Sequence, residues 1–153
     1  MSIRNRVATF AAAAVIATVG GAVAPAAIAV AAPLPVLHQA PAPNTGELRS
    51  AMADALNTNL PRSARAAGLE SGEAGLPLFD RLGGLLAIAP PSFRWDITNP
   101  RHDGGDVAIA TLYTKTDGYD PFTTDAEFKF IDGRWKLSQQ GQCSVAAWLQ
   151  QPC

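Results

Sequence analysis

The sequence predicts an α+β fold: N-terminal helices, then a four-stranded antiparallel meander sheet, then a short C-terminal helix. Two observations lead to this prediction. Apolar residues recur every fourth position from Leu48 through Met52 to Leu56, which is the spacing of one helix face. From residue 92 onward the period falls to two, as in strands that bury one face. Helices that precede the strands, instead of alternating with them, are typical of α+β proteins.

The first helix is expected to begin at Asn44 or Thr45, because either side chain can cap it, and Glu47 then lies in its first turn. Pro61 interrupts the apolar stripe, because proline cannot continue a helix. Two further helices are expected after it, one starting near Ser63 or Glu70 and one over residues 76–82.

Four alternating segments are expected to form the sheet. Three Asp-Gly pairs separate them, and this pair is a strong signal for a tight hairpin turn. The second segment is apolar on both faces, which favours a central position. The strands are predicted at residues 93–98, 107–113, 123–131 and 134–138, with turns at Asp103-Gly104, Asp117-Gly118 and Asp132-Gly133. A helix over residues 144–150 would place Val145, Trp148 and Leu149 on the sheet.

The N-terminus has the pattern of a secretory signal. Arg4 and Arg6 precede an uncharged run over residues 7–32, and Ala29 and Ala31 supply the small side chains that signal peptidase requires. Cleavage is expected between Ala31 and Ala32. An uncleaved membrane anchor is the alternative, because the run is long enough to span a bilayer. Its alanine-rich composition makes insertion weak.

This pattern divides the chain into a signal peptide at residues 1–31, a proline-rich tether at residues 32–44 and one domain at residues 45–153. The tether should be extended and should not pack in the core. Cleavage would remove two arginines and leave 10 basic against 13 acidic residues, a net charge of −3. The scattered cations do not form a patch for phosphates, so no nucleic-acid partner is expected, and no stable membrane span remains after processing.

Cys143 and Cys153 are the two cysteines of the chain. In an exported protein such a pair predicts a disulfide, which here would attach the C-terminal tail to the domain. A metal site is the weaker interpretation, because two thiolates without a nearby histidine cannot complete a zinc shell. We expect neither a metal nor a cofactor.

Candidate catalytic groups are few. Residues 140–144 faintly resemble the segment around a papain-type nucleophile, but no histidine follows Cys143 to activate its thiol. His38 lies in the tether. His102 could form an acid/base pair with Asp103 or Asp106, but an exposed residue in a hairpin loop is the preferred interpretation. No catalytic residue is therefore predicted.

Two larger sets of side chains also have two interpretations each. The acidic groups Asp117, Asp120, Asp125 and Glu127 could bind calcium, but they lack the EF-hand order and are expected to solvate turns. The aromatic residues could line a ligand pocket, but core packing explains most of them. These residues are Phe93, Trp95, Tyr113, Phe122, Phe128, Phe130, Trp135 and Trp148.

Short motifs from residue 47 to residue 150 resemble one family. They are Glu47-Leu48, Ala55-Leu56-Asn57, Glu70-Ser71-Gly72, Asp80-Arg81, Phe93-x-Trp95-x-Ile97 and Phe128-x-Phe130 followed by Trp135-Lys136-Leu137-Ser138. In this order the motifs are similar to the low-molecular-weight secreted antigen family of mycobacteria and related actinobacteria. The chain departs from the family pattern at Pro90-Pro91-Ser92-Phe93 and in its cysteine-containing tail.

The resemblance implies an antigen found in culture filtrate or the cell envelope, secreted or retained at the cell wall, with no catalytic residues to carry over. Its order of elements looks like a reduced cystatin or nuclear-transport-factor-2-like cone, which is fold analogy only. The main hypothesis is a non-catalytic interaction protein whose partner is an unknown protein or a small apolar ligand. The alternative is a cone that binds a small apolar ligand or acts as an isomerase or cyclase. That enzyme would need an acid such as Asp96 or Asp125 buried in a closed pocket.

Overall fold

A computed structural model describes residues 40–148 and 150–152. Four α-helices and four strands follow one another in the predicted order, so the α+β class is confirmed. The helices are α1 (Thr45–Leu56), α2 (Arg62–Ala66), α3 (Leu76–Ala87) and α4 (Gln139–Trp148). The strands are β1 (Arg94–Gly104), β2 (Val107–Lys115), β3 (Phe122–Ile131) and β4 (Arg134–Leu137).

Helix α1 begins where its capping residue predicts. The Asn44 side chain accepts a hydrogen bond of 2.8 Å from the Glu47 N–H, which satisfies one of the unpaired donors at the helix start. Leu48, Ala51, Met52 and Ala55 lie on the buried face of the helix. The predicted apolar stripe therefore faces the core.

A buried arginine connects α1, α2 and α3. Arg65 on α2 is only 4% exposed, and its Nε and Nη2 donate to the Ala55 carbonyl at 3.0 and 2.9 Å. Its Nη1 lies 2.6 Å from Asp80 Oδ1 on α3. The guanidinium thus donates hydrogen bonds to a carbonyl in the last turn of α1 that has no partner within the helix. Its positive charge is balanced by the Asp80 carboxylate.

The sheet is an antiparallel meander in the order β1-β2-β3-β4, with β2 and β3 central. The predicted turn at Asp132-Gly133 is confirmed, and both residues have positive φ angles, 53° and 78°, as a type I′ hairpin requires. The turn before β2 was predicted wrongly at Asp103-Gly104. Gly104 pairs with Val107, so Gly105 and Asp106 form the turn.

Strand β1 is longer than the sequence predicts, because it continues through Pro100 to Gly104. The register with β2 shifts between Thr98 and Arg101, and Asn99 in that interval has a φ of 51°. Such a β-bulge accommodates a proline, which cannot donate to the ladder. The prediction of a loop around His102 was therefore wrong, since this residue lies on the strand.

Helix α4 begins at Gln139, five positions before the predicted start at residue 144. Ser138 Oγ accepts from the Gly141 N–H at 2.9 Å, and a Glu70 carboxylate oxygen accepts from the Gln139 N–H at 2.7 Å. Ser138 is a local cap, whereas the contact with Glu70 comes from a distant part of the sequence. The helix packs against β3, beyond the end of the shorter β4.

The core lies between the helices and one face of the sheet. Its largest fully buried side chains include Phe79, Phe128 and Trp135. Trp135 Nε1 is buried without a hydrogen-bond partner among the described residues, an arrangement that costs stability. Ala40 also belongs to the core cluster, at 6% exposure. The expectation that the tether stays out of the core is therefore wrong for Ala40.

Candidate functional site

Three segments meet at one end of the sheet: the C-terminus of α3, the start of β1 and the turn between β2 and β3. Arg94 on β1 pairs with Lys115 on β2. The Asp117 N–H in the turn donates to Ser92 Oγ at 3.3 Å, which connects the turn to the segment after α3. Trp148 at the end of α4 stacks on Phe122, with ring centroids 5.6 Å apart.

The exposed large apolar side chains of the described residues all belong to these segments. Ile88 is 80% exposed, Tyr119 72%, Leu85 48% and Phe122 41%. We call these four residues the apolar end. Leu85 and Ile88 share a depression of about 380 Å³ with Arg81, Gly84 and Gln151. Apolar exposure that is grouped in this way marks an interaction site more often than scattered apolar residues do.

A separate apolar cleft lies against the core, and none of these four residues lines it. Met52, Leu82, Trp95, Leu112 and Trp148 are among its lining residues. Its volume is about 20 Å³, which is close to the space of one water molecule. Ligand pockets measure roughly 300–1,000 Å³. The cleft is therefore filled by its own side chains.

Charges of both signs surround the apolar end. Arg94, Asp117 and Asp120 are exposed and Lys115 is half-buried. Lys115 Nζ donates to the Tyr119 carbonyl at 2.7 Å. None of the four charged groups forms an ion pair with another described residue. We call Arg94, Lys115, Asp117 and Asp120 the rim. Its charges are of both signs and are at least partly accessible to solvent.

The acids that a cone-type enzyme would need are not buried. Asp96 is half exposed and pairs with Arg49 at 3.1 Å. Asp125 is also more than half exposed and pairs with Arg101 at 2.8 Å. The buried face of β2 carries Ala108, Ala110 and Leu112 instead. The geometry thus places both candidate carboxylates in solvent-exposed ion pairs.

The remaining predicted candidates are not brought together. His102 is exposed, as expected, and its ring meets Trp135 edge to face at 5.8 Å. Within the described part of the chain, no group of three His, Cys, Asp or Glu side chains could hold a metal ion. Cys143 lies on α4, whereas His38, Cys153, Ala31 and Ala32 lie outside the described residues. The Cys143–Cys153 disulfide and the cleavage site stay predictions.

Glu70 is the carboxylate with the clearest electrostatic role among the described residues. Lys129 Nζ donates to it at 2.8 Å, and the Gln139 N–H donates to its other oxygen. These two bonds, that from Lys129 first, hold the pKa of the Glu70 carboxyl below its ordinary value of 4.5. The role is structural, because the carboxylate joins the segment before α3 to β3 and to the start of α4.

Replacing Glu70 with glutamine should lower the free energy of unfolding by about 1 kcal/mol at neutral pH, the size of a lost helix cap. A carboxyl whose pKa is lowered by folding stabilises the fold above its unfolded pKa. The advantage of wild type over Glu70→Gln should therefore be complete above pH 4.5 and should shrink as the pH falls through the lower folded pKa. Urea unfolding over a pH series measures this difference.

Glu73→Gln is the matched control, because Glu73 is exposed and lies 3.9 Å from Arg62. Such a surface pair should contribute less than about 0.5 kcal/mol. A Glu70→Gln difference that does not change with pH would contradict the assigned role.

Sequence reasoning missed the apolar end. Leu85 and Ile88 lie three positions apart, in a segment whose Gly83-Gly84 pair made a helix hard to predict. The structure continues α3 through both glycines, and Gly83 fits against the Leu56 carbonyl. Once that helix is recognised, the i, i+3 spacing places both side chains on one face.

The described residues contain no helix long and apolar enough to cross a membrane. No curated protein matches the chain. A family model described as the C-terminal domain of the low molecular weight antigen MTB12 matches residues 41–153. That match covers more than half of the chain and confirms the resemblance of its motifs, so the chain belongs to the low molecular weight antigen MTB12 family.

Proposed function

We propose that the chain is an exported, non-catalytic protein of the culture filtrate or cell envelope that acts by binding a partner at its apolar end. The observation that carries the binding role is the exposure of four large apolar side chains, Leu85, Ile88, Tyr119 and Phe122, the first two of which share a depression of about 380 Å³. Membership of an antigen family supports the extracellular location. The uncharged run after Arg6 supports export.

The core leaves no enclosed room for a ligand, and the larger depressions, of about 340–390 Å³, are open at the surface. The apolar cleft has about 20 Å³ of space, too little for a small apolar ligand. The candidate acids Asp96 and Asp125 form exposed ion pairs and do not lie in the closed pocket that a cone-type enzyme needs. A cone-type isomerase or cyclase therefore has less support than an interaction protein.

Intact mass of the protein from culture medium and from cells tests the export proposal. We expect the medium to contain a species that begins at Ala32 and that alkylating reagent does not modify until reductant is added. The unreduced form should be lighter by two hydrogens, because Cys143 and Cys153 would form a disulfide. The same mass spectrum therefore reports both the cleavage of the signal peptide and the oxidation state of the two cysteines.

A Cys143→Ser variant is the matched control, since its mass should not change with reductant alone and one thiol should be alkylated throughout. A full-length, cell-bound species with two reactive thiols would contradict both the signal peptide and the disulfide. A processed species with two reactive thiols would contradict the disulfide alone.

A further inference from the structure

We propose that Asp117 is a site of spontaneous covalent modification, at which the aspartyl residue converts through a cyclic succinimide to isoaspartate. The chain contains three Asp-Gly pairs, at residues 103–104, 117–118 and 132–133. A glycine after the aspartate favours this reaction, because it has no side chain to keep its nitrogen away from the carboxyl group. The fold then decides which of the three pairs reacts.

The reaction needs only the two residues of the pair and water. The Gly118 nitrogen attacks Cγ of Asp117, a C–N bond forms, and a carboxyl oxygen leaves as water. Water then adds to one of the two ring carbonyls. Addition at Cγ restores aspartate, whereas addition at the α-carbonyl carbon breaks its bond to the Gly118 nitrogen and leaves the backbone running through Cγ. One water is lost and one is gained, so isoaspartate has the mass of aspartate.

The Asp117-Gly118 pair lies in the longest connection of the sheet, between β2 and β3, and both residues are exposed. The hydrogen bonds of this turn use other groups. The Asp117 N–H donates to Ser92 Oγ at 3.3 Å, and the Tyr119 N–H donates to the Thr116 carbonyl at 3.2 Å. Among the described residues, neither the Asp117 carboxyl nor the Gly118 N–H has a hydrogen-bond or ion-pair partner. Both reacting groups are therefore available.

The other two Asp-Gly pairs are held by the strand ladder. Asp132 and Gly133 form the whole turn between β3 and β4, with φ angles of 53° and 78°, and the Asp132 carboxylate accepts from Lys136 Nζ at 3.0 Å. Gly104 pairs with Val107 on β2. In both places the glycine nitrogen reaches the preceding carboxyl group only when the hairpin opens, and opening of paired strands costs free energy.

Conversion at Asp117 would change the shape of an exposed turn. Isoaspartate places one additional carbon in the backbone between residues 117 and 118, which shifts the position of Tyr119. This side chain is 72% exposed, and its own carbonyl accepts from Lys115 Nζ at 2.7 Å. The modification would therefore alter one of the four residues of the apolar end. The reaction itself does not depend on the proposed binding role or on export.

Peptide mapping of aged protein tests the proposal. Trypsin, which cleaves after lysine and arginine, places the three pairs in separate peptides, residues 102–115, 116–129 and 130–134. Chromatography with electron-transfer fragmentation identifies isoaspartate and its position in each peptide. In folded protein, residue 117 should convert at least about fivefold faster than residues 103 and 132, because only those two need local opening. In guanidinium chloride the three should convert at similar rates, since no ladder remains.

Asp117→Asn and Asp132→Asn are a matched pair of variants that removes the carboxylate charge at each site. The asparagine amide loses ammonia in the same ring closure, so D117N should deamidate in the folded protein much faster than D132N. Two results would overturn the proposal: equal conversion of the three peptides in the folded protein, or protection of residue 117 by the fold as strong as that of residue 132.

Discussion

Arg65→Ala is expected to lower the free energy of unfolding by about 3 kcal/mol, the cost of breaking a buried charged contact. The substitution leaves the Ala55 carbonyl without the two donors that it now accepts from. It also removes a side chain that is 95% buried between α1, α2 and α3. Urea or guanidinium unfolding of both proteins measures the difference, provided that the slope against denaturant is unchanged.

Arg62→Ala is the matched control for this prediction. Arg62 lies on the same helix and approaches the same Asp80, but at 3.7 Å and with 56% of its side chain exposed. An exposed pair of this kind contributes roughly 0–1 kcal/mol. If both variants lose the same stability, the burial of Arg65 is not what matters. If neither loses any, the guanidinium does not stabilise the junction of the three helices.

Gly141→Ala is expected to lower the free energy of unfolding by about 2–3 kcal/mol, although alanine normally stabilises a helix relative to glycine. A Cβ at this position would collide with the Glu127 carbonyl oxygen and would lie 2.9 Å from Leu137 Cδ1. Glu127 and Leu137 both lie on strands of the sheet, so neither can move away to relieve the contact. Helix α4 would have to move away from β3, and the packing of Val145 would loosen.

Gly84→Ala is the control, and the opposite change in the free energy of unfolding is expected for it. Gly84 also lies in a helix, and a Cβ there would meet no atom within 4 Å. This variant should gain about 0.5–1 kcal/mol from helix propensity alone. Thermal and denaturant unfolding of the two variants should therefore move in opposite directions. Equal shifts would show that propensity, and not the contact with β3, decides the effect at Gly141.

Local patterns predicted most of the fold. Asn44 was one of two residues predicted as a cap from the side chain alone, the other being Thr45. Asp132-Gly133 was predicted as a turn because few other pairs accept two positive φ angles. The central position of β2 followed from its two apolar faces. In each case the physical cause lies within a few residues, so a short stretch of sequence contains it.

Features that depend on distant contacts were not predictable. Nothing near Arg65 indicates that it is buried, because its partners are the Ala55 carbonyl and Asp80. From the sequence, Gly141 would only weaken a helix. The need for a glycine there is apparent only once the Glu127 carbonyl is known to lie beside it. The apolar end depends on three segments that meet only in the folded sheet. A binding role for the protein was expected only in general terms, without the residues that could serve it.

The contacts at residues 68–70 also determine the order in which the fold can be completed. The Leu137 N–H donates to the Gly68 carbonyl, and the Glu70 N–H donates to the Leu137 carbonyl, so an early segment forms a parallel bridge beside the last strand. A chain that is synthesised from its N-terminus cannot form these bonds until β4 has emerged. The N-terminal helices therefore lack these contacts, and Leu69 stays exposed, until nearly the whole domain has been synthesised. Contacts so distant in sequence slow folding, and apolar surface that is exposed during that interval favours aggregation.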